Sequence, residues 1–322
     1  MTPKRIGAFL LCLAVVWAAA AGAQDFPAHP VRVVVPLPAG GTLDLIARTV
    51  GPAAGRALGQ TVLVENRPGA SSVIGTEAVA RAPADGHTVL LVGNAFTMNP
   101  TLRQKLPYDT VRDFTAVARV AANPLVIAIH PSLPARTLKE LVALARARPG
   151  ELTYASGTAA GGLRLNAERF KAAAGINIVN VPYQGGAPAV IAVMGGHTSI
   201  LMVNVSEAVP QIASGRLRAL AVTSLVRSDA LKDVPTVAES GYPGFEALMW
   251  YGAVARSGTP GSAIERLGTA FTRSLQLAEV KGALARVGLA SAPLGQAEFD
   301  AFLKVEFERS ARLIRELKLT VE

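Results

Sequence analysis

Along this chain, short unbroken apolar runs alternate with stretches whose apolar residues return every three or four positions. The first run, Val31 to Val35, reads as a buried strand. A loop holding Pro36, Pro38, Gly40 and Gly41 follows. Ile46, Val50, Ala53 and Ala57 then recur at the spacing that places apolar side chains on one face of a helix. A second unit is built the same way: strand Thr61 to Glu65, turn-rich loop Asn66 to Ser72, helix around Ile74 to Arg81, turn Pro83 to Gly86 and strand His87 to Val92. Such alternation predicts an α/β sheet. Phe96 to Asp113 has no clean period and contains Pro100 and Pro107, so a loop with short helical turns is expected there. Pro124 to His130 reads as another buried strand. Thr137 and Glu140 form a capping box for a helix that Pro149-Gly150 stops.

The opening pattern then returns. Glu151 to Ser156 is a strand, Gly157 to Gly162 a loop of small residues, and Leu163, Ala167, Phe170 and Ala174 mark one face of a helix. A strand, small-residue loop and helix in succession present unpaired N–H groups and a positive helix end, which suit an anion. Two such junctions predict one per domain, converging on a shared cleft if the domains face each other. Further strands are expected at Val179 to Tyr183, Ser199 to Val203, Leu217 to Thr223 and Leu248 to Ala255, the last containing Trp250 and Tyr251. Trp250 reads as core. Gln184 to Pro188 is a turn before a helix to Met194. Thr259 and Pro260 supply a cap and a first-turn proline. Ile264, Leu267, Phe271 and Leu275 form a helical stripe, and Gln296 to Leu317 is a long final helix. No long polar linker intervenes, so hinge strands should join the domains.

Composition agrees with that architecture. The 322 residues suit two α/β domains, and with half of them apolar but only 5% aromatic, the core must be aliphatic and alanine-rich. The first 23 residues stand apart. Lys4 and Arg5 precede an apolar run, Ile6 to Ala21, that is shorter than a membrane-spanning helix requires, and Ala21-Gly22-Ala23 is a small-residue cleavage site. A secretory signal peptide cut before Gln24 is expected. The Ala-x-Ala ending disfavours an uncleaved anchor, and Leu11 before Cys12 disfavours a lipoprotein. Cys12, the only cysteine, leaves with the signal, so no disulfide is expected. The net charge of +9 comes from scattered Lys and Arg without basic runs interleaved with aromatics. It fits steering of an anionic small ligand, or a solvated surface, better than nucleic-acid binding.

Enzyme signatures are missing from the sequence: no Gly-x-Ser-x-Gly elbow, no phosphate loop and no Gly-x-Gly-x-x-Gly. His29, His87, His130 and His197 are widely spaced and pair with no carboxylate at metal-ligand spacing.

Several blocks give the chain a family likeness. PLPAGGTLDLIAR (Pro36 to Arg48), LGQTVLVENRPGA (Leu58 to Ala70), NPTLRQKLPYD (Asn99 to Asp109), TYASG (Thr153 to Gly157), VPYQGGAPA (Val181 to Ala189), GRLRALAVTS (Gly215 to Ser224) and DVPTVAESGYPG (Asp233 to Gly244) occur in this order. Nearly end to end, the chain resembles the Bug-type periplasmic solute-binding receptors of tripartite tricarboxylate transporters. The resemblance implies an α/β, two-domain periplasmic binding protein type II fold, closing like a flytrap over a small organic carboxylate, with no cofactor, no metal and no enzymatic activity. Its domains would be 24–123 with 246–322 returning to it, and 124–245. The implied partners are that ligand and the membrane components of the transporter, with the receptor a monomer in the periplasm. A ligand sensor feeding a sensor kinase is the alternative, and an exported hydrolase on the same scaffold a third. Citrate-like acids, acidic amino acids and aromatic carboxylates all suit the family.

In the family the first loop and the Tyr-Ala-Ser loop hold the carboxylate largely through backbone groups. That maps onto Gly40 and Gly41, where the main chain approaches closely, Thr42, which adds a hydroxyl or caps the helix, and Ser156 and Gly157. Asp44, in the first helical turn, reads more as a loop and dipole partner than as a ligand contact, since an anion would repel it. Asn204 ends a strand, where α/β ligands bind, with a turn asparagine as the plain alternative. Tyr183 either walls the cleft or packs. Gly161, Gly162 and Arg164 stand where the family usually has small hydroxyl residues and a histidine, and Gln184 and Val203 replace a basic and an acidic residue. Arg164 either pairs with an extra ligand carboxylate or points to solvent.

Overall fold

The computed structural model describes residues 26–103, 105–156, 161–183, 186–286 and 289–319. The expected signal peptide, Gly157 and Gln184 lie outside the described residues. The elements in order are β1 (Val31–Val35), α1 (Thr42–Leu58), β2 (Val62–Asn66), α2 (Val73–Ala80), β3 (Thr88–Gly93), α3 (Asn94–Leu102), β4 (Phe114–Ile129), α4 (Leu138–Ala147), β5 (Thr153–Ser156), α5 (Gly162–Ala174) and β6 (Val179–Pro182). They continue with α6 (Gly186–Met194), β7 (Ile200–Asn204), α7 (Val205–Ala213), β8 (Arg218–Val222), β9 (Leu248–Arg256), α8 (Gly261–Ser274), α9 (Ala278–Arg286), β10 (Ala290–Leu294) and α10 (Gln296–Glu316).

These strands form one mixed sheet in the order β2-β1-β3-β9-β4-β7-β5-β6, with β8 and β10 also on β4. β4 makes it continuous. Its first half runs antiparallel to β9, from Phe114 opposite Arg256 to Pro124 opposite Leu248. Its second half runs antiparallel to β7, from Leu125 opposite Asn204 to Ile129 opposite Ile200, and also pairs with β8. Pro124 thus falls where the strand changes partner, a place where a missing N–H donor is tolerated. Separate cores lie on either side of this crossing. One joins β1 and β3 to α1 and α8 through Val33, Ile46, Val50, Leu91, Leu267 and Phe271. The others pack Ile127, Leu141, Tyr154 and Phe170, and Val126, Val190, Leu201 and Val203.

Thr223 ties the two crossing strands. Its N–H donates to the Leu125 carbonyl, its hydroxyl accepts the Leu125 N–H and donates to the Ala247 carbonyl at the entry to β9, and the Ala247 N–H donates back to the Thr223 carbonyl. α10 spans the crossing on another face. Phe299 and Leu303 pack with Trp250, which is wholly buried as core, while Leu313 and Ile314 meet Met98 of α3 and Leu165 of α5.

Several expectations need correction. Of the stretch expected as a loop from Phe96 to Asp113, the first part is helix: α3 runs to Leu102 with Pro100 inside it, while 105–113 holds the expected turns. Burial of Phe96 and Met98 supplies what periodicity did not show, and Pro100 lies near the helix end, where kinking it disturbs little. β4 begins at Phe114 rather than Pro124, because alanines carry the buried positions of its first half and conceal its strand character. Pro260 is the N-cap of α8 rather than its first helical residue, and the Thr259 hydroxyl turns back to the Arg256 carbonyl. α9 and β10 were not anticipated. The capping of α4 is as expected in kind, with Thr137 accepting from the Glu140 N–H, although the Glu140 carboxylate reaches Arg136.

Candidate functional site

The first loop leaves the buried end of β1 and turns through Gly40, whose φ of +82° suits glycine and strains any other residue. Gly41 is the N-cap of α1, so Thr42 is the first helical residue and does not cap. Asp44 is buried at 3% exposure, and its carboxylate accepts the Gly40 N–H at 2.9 Å and the Arg48 Nε at 3.0 Å. Arg48 in turn donates to Asn66, whose amide donates to the Leu37 carbonyl. Burial pushes the Asp44 carboxyl up, but its hydrogen bonds to Arg48, Gly40 and Asn66 outweigh that and hold it below the usual carboxylate value. Asp44 is therefore committed within the first loop.

From Thr42 the site continues to Tyr251 on β9. The Tyr251 phenol is pushed up to about 12 by burial, against a hydrogen bond with the Thr42 side chain, and the Glu207 carboxylate raises it further. Glu207 belongs to the other half of the molecule, in the first turn of α7.

There, Asn204 ends β7 and is the N-cap of α7, with Glu207 three residues on. This is one arm of a capping box: the Glu207 carboxylate accepts from the Asn204 backbone N–H and from its side-chain amide. The reciprocal arm is missing, since Asn204 makes no side-chain cap bond. Burial pushes the Glu207 carboxyl up in spite of the two Asn204 bonds. Its carboxylate lies against Gly186 at the start of α6, so that a Cβ added at Gly186 would collide with it. Glu207 Oε2, Asn204 Oδ1 and the Ser156 hydroxyl are buried without hydrogen-bond partners, and Ser156 is 0% exposed.

At the second junction Gly161 is the N-cap of α5, with no side chain to cap it. Gly162 packs directly on Met249 and Asn94. Arg164, half-buried in the first turn of α5, stands beside the Tyr154 phenol and hydrogen-bonds it. Tyr154 donates to Glu168 at 2.6 Å, and Lys171 pairs with the same carboxylate at 2.8 Å. Burial first, and then Glu168, push the Tyr154 phenol far above its ordinary value, with Arg164 pulling the other way. Arg164 is placed by this group rather than standing in solvent. Tyr183 is half-buried against the core beside Leu163, and its N–H donates to the Ser156 carbonyl.

The structure thus sets Thr42 against Tyr251, within range of the Glu207 charge, and Asn204 against Glu207. Gly40 and Asp44 lie just behind Thr42, and Arg164 sits with Tyr154. Tyr251 and Glu207 were missed as site residues. The Asn-x-x-Glu spacing at 204 and 207 was the available signal. A third convergence was also invisible along the chain: His29, Asp85 and His87 lie with ligand atoms within 4.8 Å of one another. It sits by the start of β3, the strand end opposite to Gly93. The two histidine rings are stacked at 3.7 Å, and His87 Nε2 already accepts the Ala28 N–H.

Residues 46–319 match the family model described as "Tripartite tricarboxylate transporter family receptor". The chain is 36% identical to protein BugT of Bordetella pertussis over 313 residues, which is 97% of this chain and 95% of that protein. A solved R. palustris structure, Rpa4515 with adipate, is 30% identical and superposes with a TM-score of 0.72, covering 92% of this chain and 99% of that one. A TctC solute-binding protein from Polaromonas is 27% identical with a TM-score of 0.82, covering 90% of this chain and 99% of that one.

Proposed function

The chain belongs to the tripartite tricarboxylate transporter receptor family, and from that premise we propose that it captures a small organic carboxylate between its two lobes for delivery to the membrane components of such a transporter. Its fold is the α/β, two-domain fold of periplasmic binding proteins, and family and neighbours alike are periplasmic solute-binding proteins, a class that binds rather than turns over its solute. The observation that carries the reading is the placement of Tyr251 on β9: Thr42, at the positive end of α1, hydrogen-bonds it, and the charge of Glu207, beside Asn204 at the end of β7, reaches it from the other half of the molecule. Crevices outside strand ends are where α/β folds bind ligands. The adipate seen with the Rhodopseudomonas relative supports the ligand class.

We assign the ligand contacts to Gly40, Gly41, Thr42, Ser156, Asn204 and Gly157, with Asp44 shaping the first loop, Tyr183 walling the second and Arg164 supplying positive charge beside Tyr154. The lobes are 24–123 with 246–322, and 124–245, and their closure is the binding event. Export follows cleavage before Gln24, which N-terminal sequencing of the periplasmic protein reads directly. The receptor acts as a monomer. A sensor kinase is the alternative partner, and loss of solute uptake on deleting the transporter's membrane components rules for transport.

A thermal-shift screen tests the ligand class, using protein unfolded and refolded to strip carried-over solute. A solute that binds only the folded state stabilises it by about 2.7 kcal/mol at a hundred times its dissociation constant. A rise with a carboxylate that its amide does not reproduce is expected. No rise with any mono-, di- or tricarboxylate overturns the reading.

A further inference from the structure

At the strand crossing lies a cavity of about 570 Å³ that the site described above does not use, since none of the assigned ligand contacts lines it. Its walls come from both lobes and meet at Asn123 and Pro124, where β4 changes partner. They are mainly apolar, with Leu248, Ala285 and Leu289 on one side and Val205, Leu225 and Val226 on the other. Leu225 and Val226 are 53% and 75% exposed, an uncovered apolar pair at the rim. A cavity of this size between domains, apolar but for a few convergent polar groups, is the usual form of a small-molecule site.

The polar group that decides its chemistry is Arg119. It is half-buried on β4, its Nε donates to the Ala292 carbonyl at 2.9 Å, and its guanidinium lies over the Phe302 ring at 5.3 Å. Those contacts hold the fork in place without supplying a counter-charge. Burial pulls the guanidinium below its ordinary value, against the fields of Glu246 and Glu298, and among the described residues no carboxylate forms an ion pair with it. The other cations of the lining are engaged: Arg227 holds the Glu239 carboxylate, and Lys281 donates to Gln276. Arg119 is thus a desolvated cation set in an apolar wall, which favours an anion beside it. The first turn of α7 favours one too. Val205 and Ser206 line the cavity at a helix N-terminus whose cap residue, Asn204, makes no side-chain cap bond. Glu246 and Asp229 also line the cavity, so a second negative charge on the occupant would be repelled.

We propose that this cavity is a second, separate site that binds a monoanion with an apolar tail, of the fatty-acid class, its head on Arg119 and its tail along Leu248, Leu289, Leu225 and Val226. The long apolar wall sets this occupant apart from the small carboxylate assigned to the cleft, and the inference does not depend on that assignment. Because the walls belong to both lobes, the occupant fits one lobe arrangement better than others and biases closure toward it.

Calorimetry with octanoate as the probe tests this, on protein unfolded and refolded to strip carried-over solute. Octanoate is expected to bind about tenfold or more tightly than octanol, which lacks the charge, and than acetate, which lacks the tail. Arg119→Gln removes the cation and should weaken octanoate about tenfold or more. Val226→Glu sets a carboxylate at the exposed rim, where folding does not depend on the side chain, and should weaken it likewise. The second variant decides even if Arg119→Gln folds poorly. No binding of octanoate, or octanol or acetate binding as tightly, overturns the inference. So does an octanoate affinity that neither variant changes, since the probe then sits elsewhere, in the cleft above all. Each of these results leaves the carboxylate-receptor reading standing, because that reading fails only when no small carboxylate binds.

Discussion

Asn94 and Asn166 donate to the same acceptor, the Leu248 carbonyl, at 3.3 and 3.1 Å. One comes from α3 and the other from α5, helices on opposite sides of the strand crossing, so a single backbone oxygen at the entry to β9 fastens both lobes. Asn94 does more, since its own oxygen accepts the Trp250 N–H.

That asymmetry sets a prediction. Asn94→Ala strips a donor from Leu248 and leaves the buried Trp250 N–H bare, and should cost roughly 1–3 kcal/mol of stability. Asn166→Ala leaves Leu248 with its other donor and should cost less. Because the two share an acceptor, the double variant should lose more than the sum of the singles. Urea unfolding of the four proteins measures this, and strict additivity would show that the shared carbonyl does not couple them.

Asp44 links the first loop to acid sensitivity. Its carboxyl is held below the ordinary value in the folded chain, so the stability it supplies is complete above about pH 4 and is lost as pH falls through its folded pKa. Asp44→Asn should therefore cost about 1–3 kcal/mol at neutral pH, with the difference from wild type shrinking in acid. Unfolding curves at stepped pH from 7 downward check it; a gap that widens in acid contradicts the sign.

Glu207 has the opposite sign. Its carboxyl is raised, so its favourable contribution is complete below the unfolded pKa of about 4.3 and declines as pH rises through the folded pKa. In the ligand-free protein Glu207→Gln should gain on wild type as pH climbs from 4 to 8. A difference in melting temperature that stays flat over that range would refute the desolvated carboxylate.

Gly186 and Glu207 compete for the same space. Gly186→Ala should expel the flexible carboxylate rather than break the helix, undoing the capping arm at a cost of about 1 kcal/mol. In a Glu207→Ala background the same glycine change should cost almost nothing. Thermal denaturation of the double-mutant cycle decides.

Sequence reading found most helices and strands because their cues were strong and local: the apolar run of β1, the Thr137 capping box, the stripe of α8. It failed where tertiary packing supplied the order. Phe96 and Met98 carry α3 across a proline because both are buried, which no window of sequence reveals. The alanines of β4 pass for helix or loop until β9 lies alongside them. At the site, the glycine-rich first loop was legible as a motif. Tyr251 and Glu207 were not, because only the fold sets Tyr251 against Thr42 and within range of the Glu207 charge.

Thr223 has a mechanical consequence. Two ribbons running side by side between rigid bodies resist bending in their plane but can still shear past each other. Clipped together at Thr223, through Leu125 on one and Ala247 on the other, they cannot slide without breaking buried hydrogen bonds. If the proposed closure turns about this crossing, the clip and the β4–β9 ladder hold the pair to one line of flexure and stiffen it against torsion. Each closing stroke would bring Thr42 and Glu207 back to the same mutual alignment, and selectivity would be set by that repeatability as much as by any one contact.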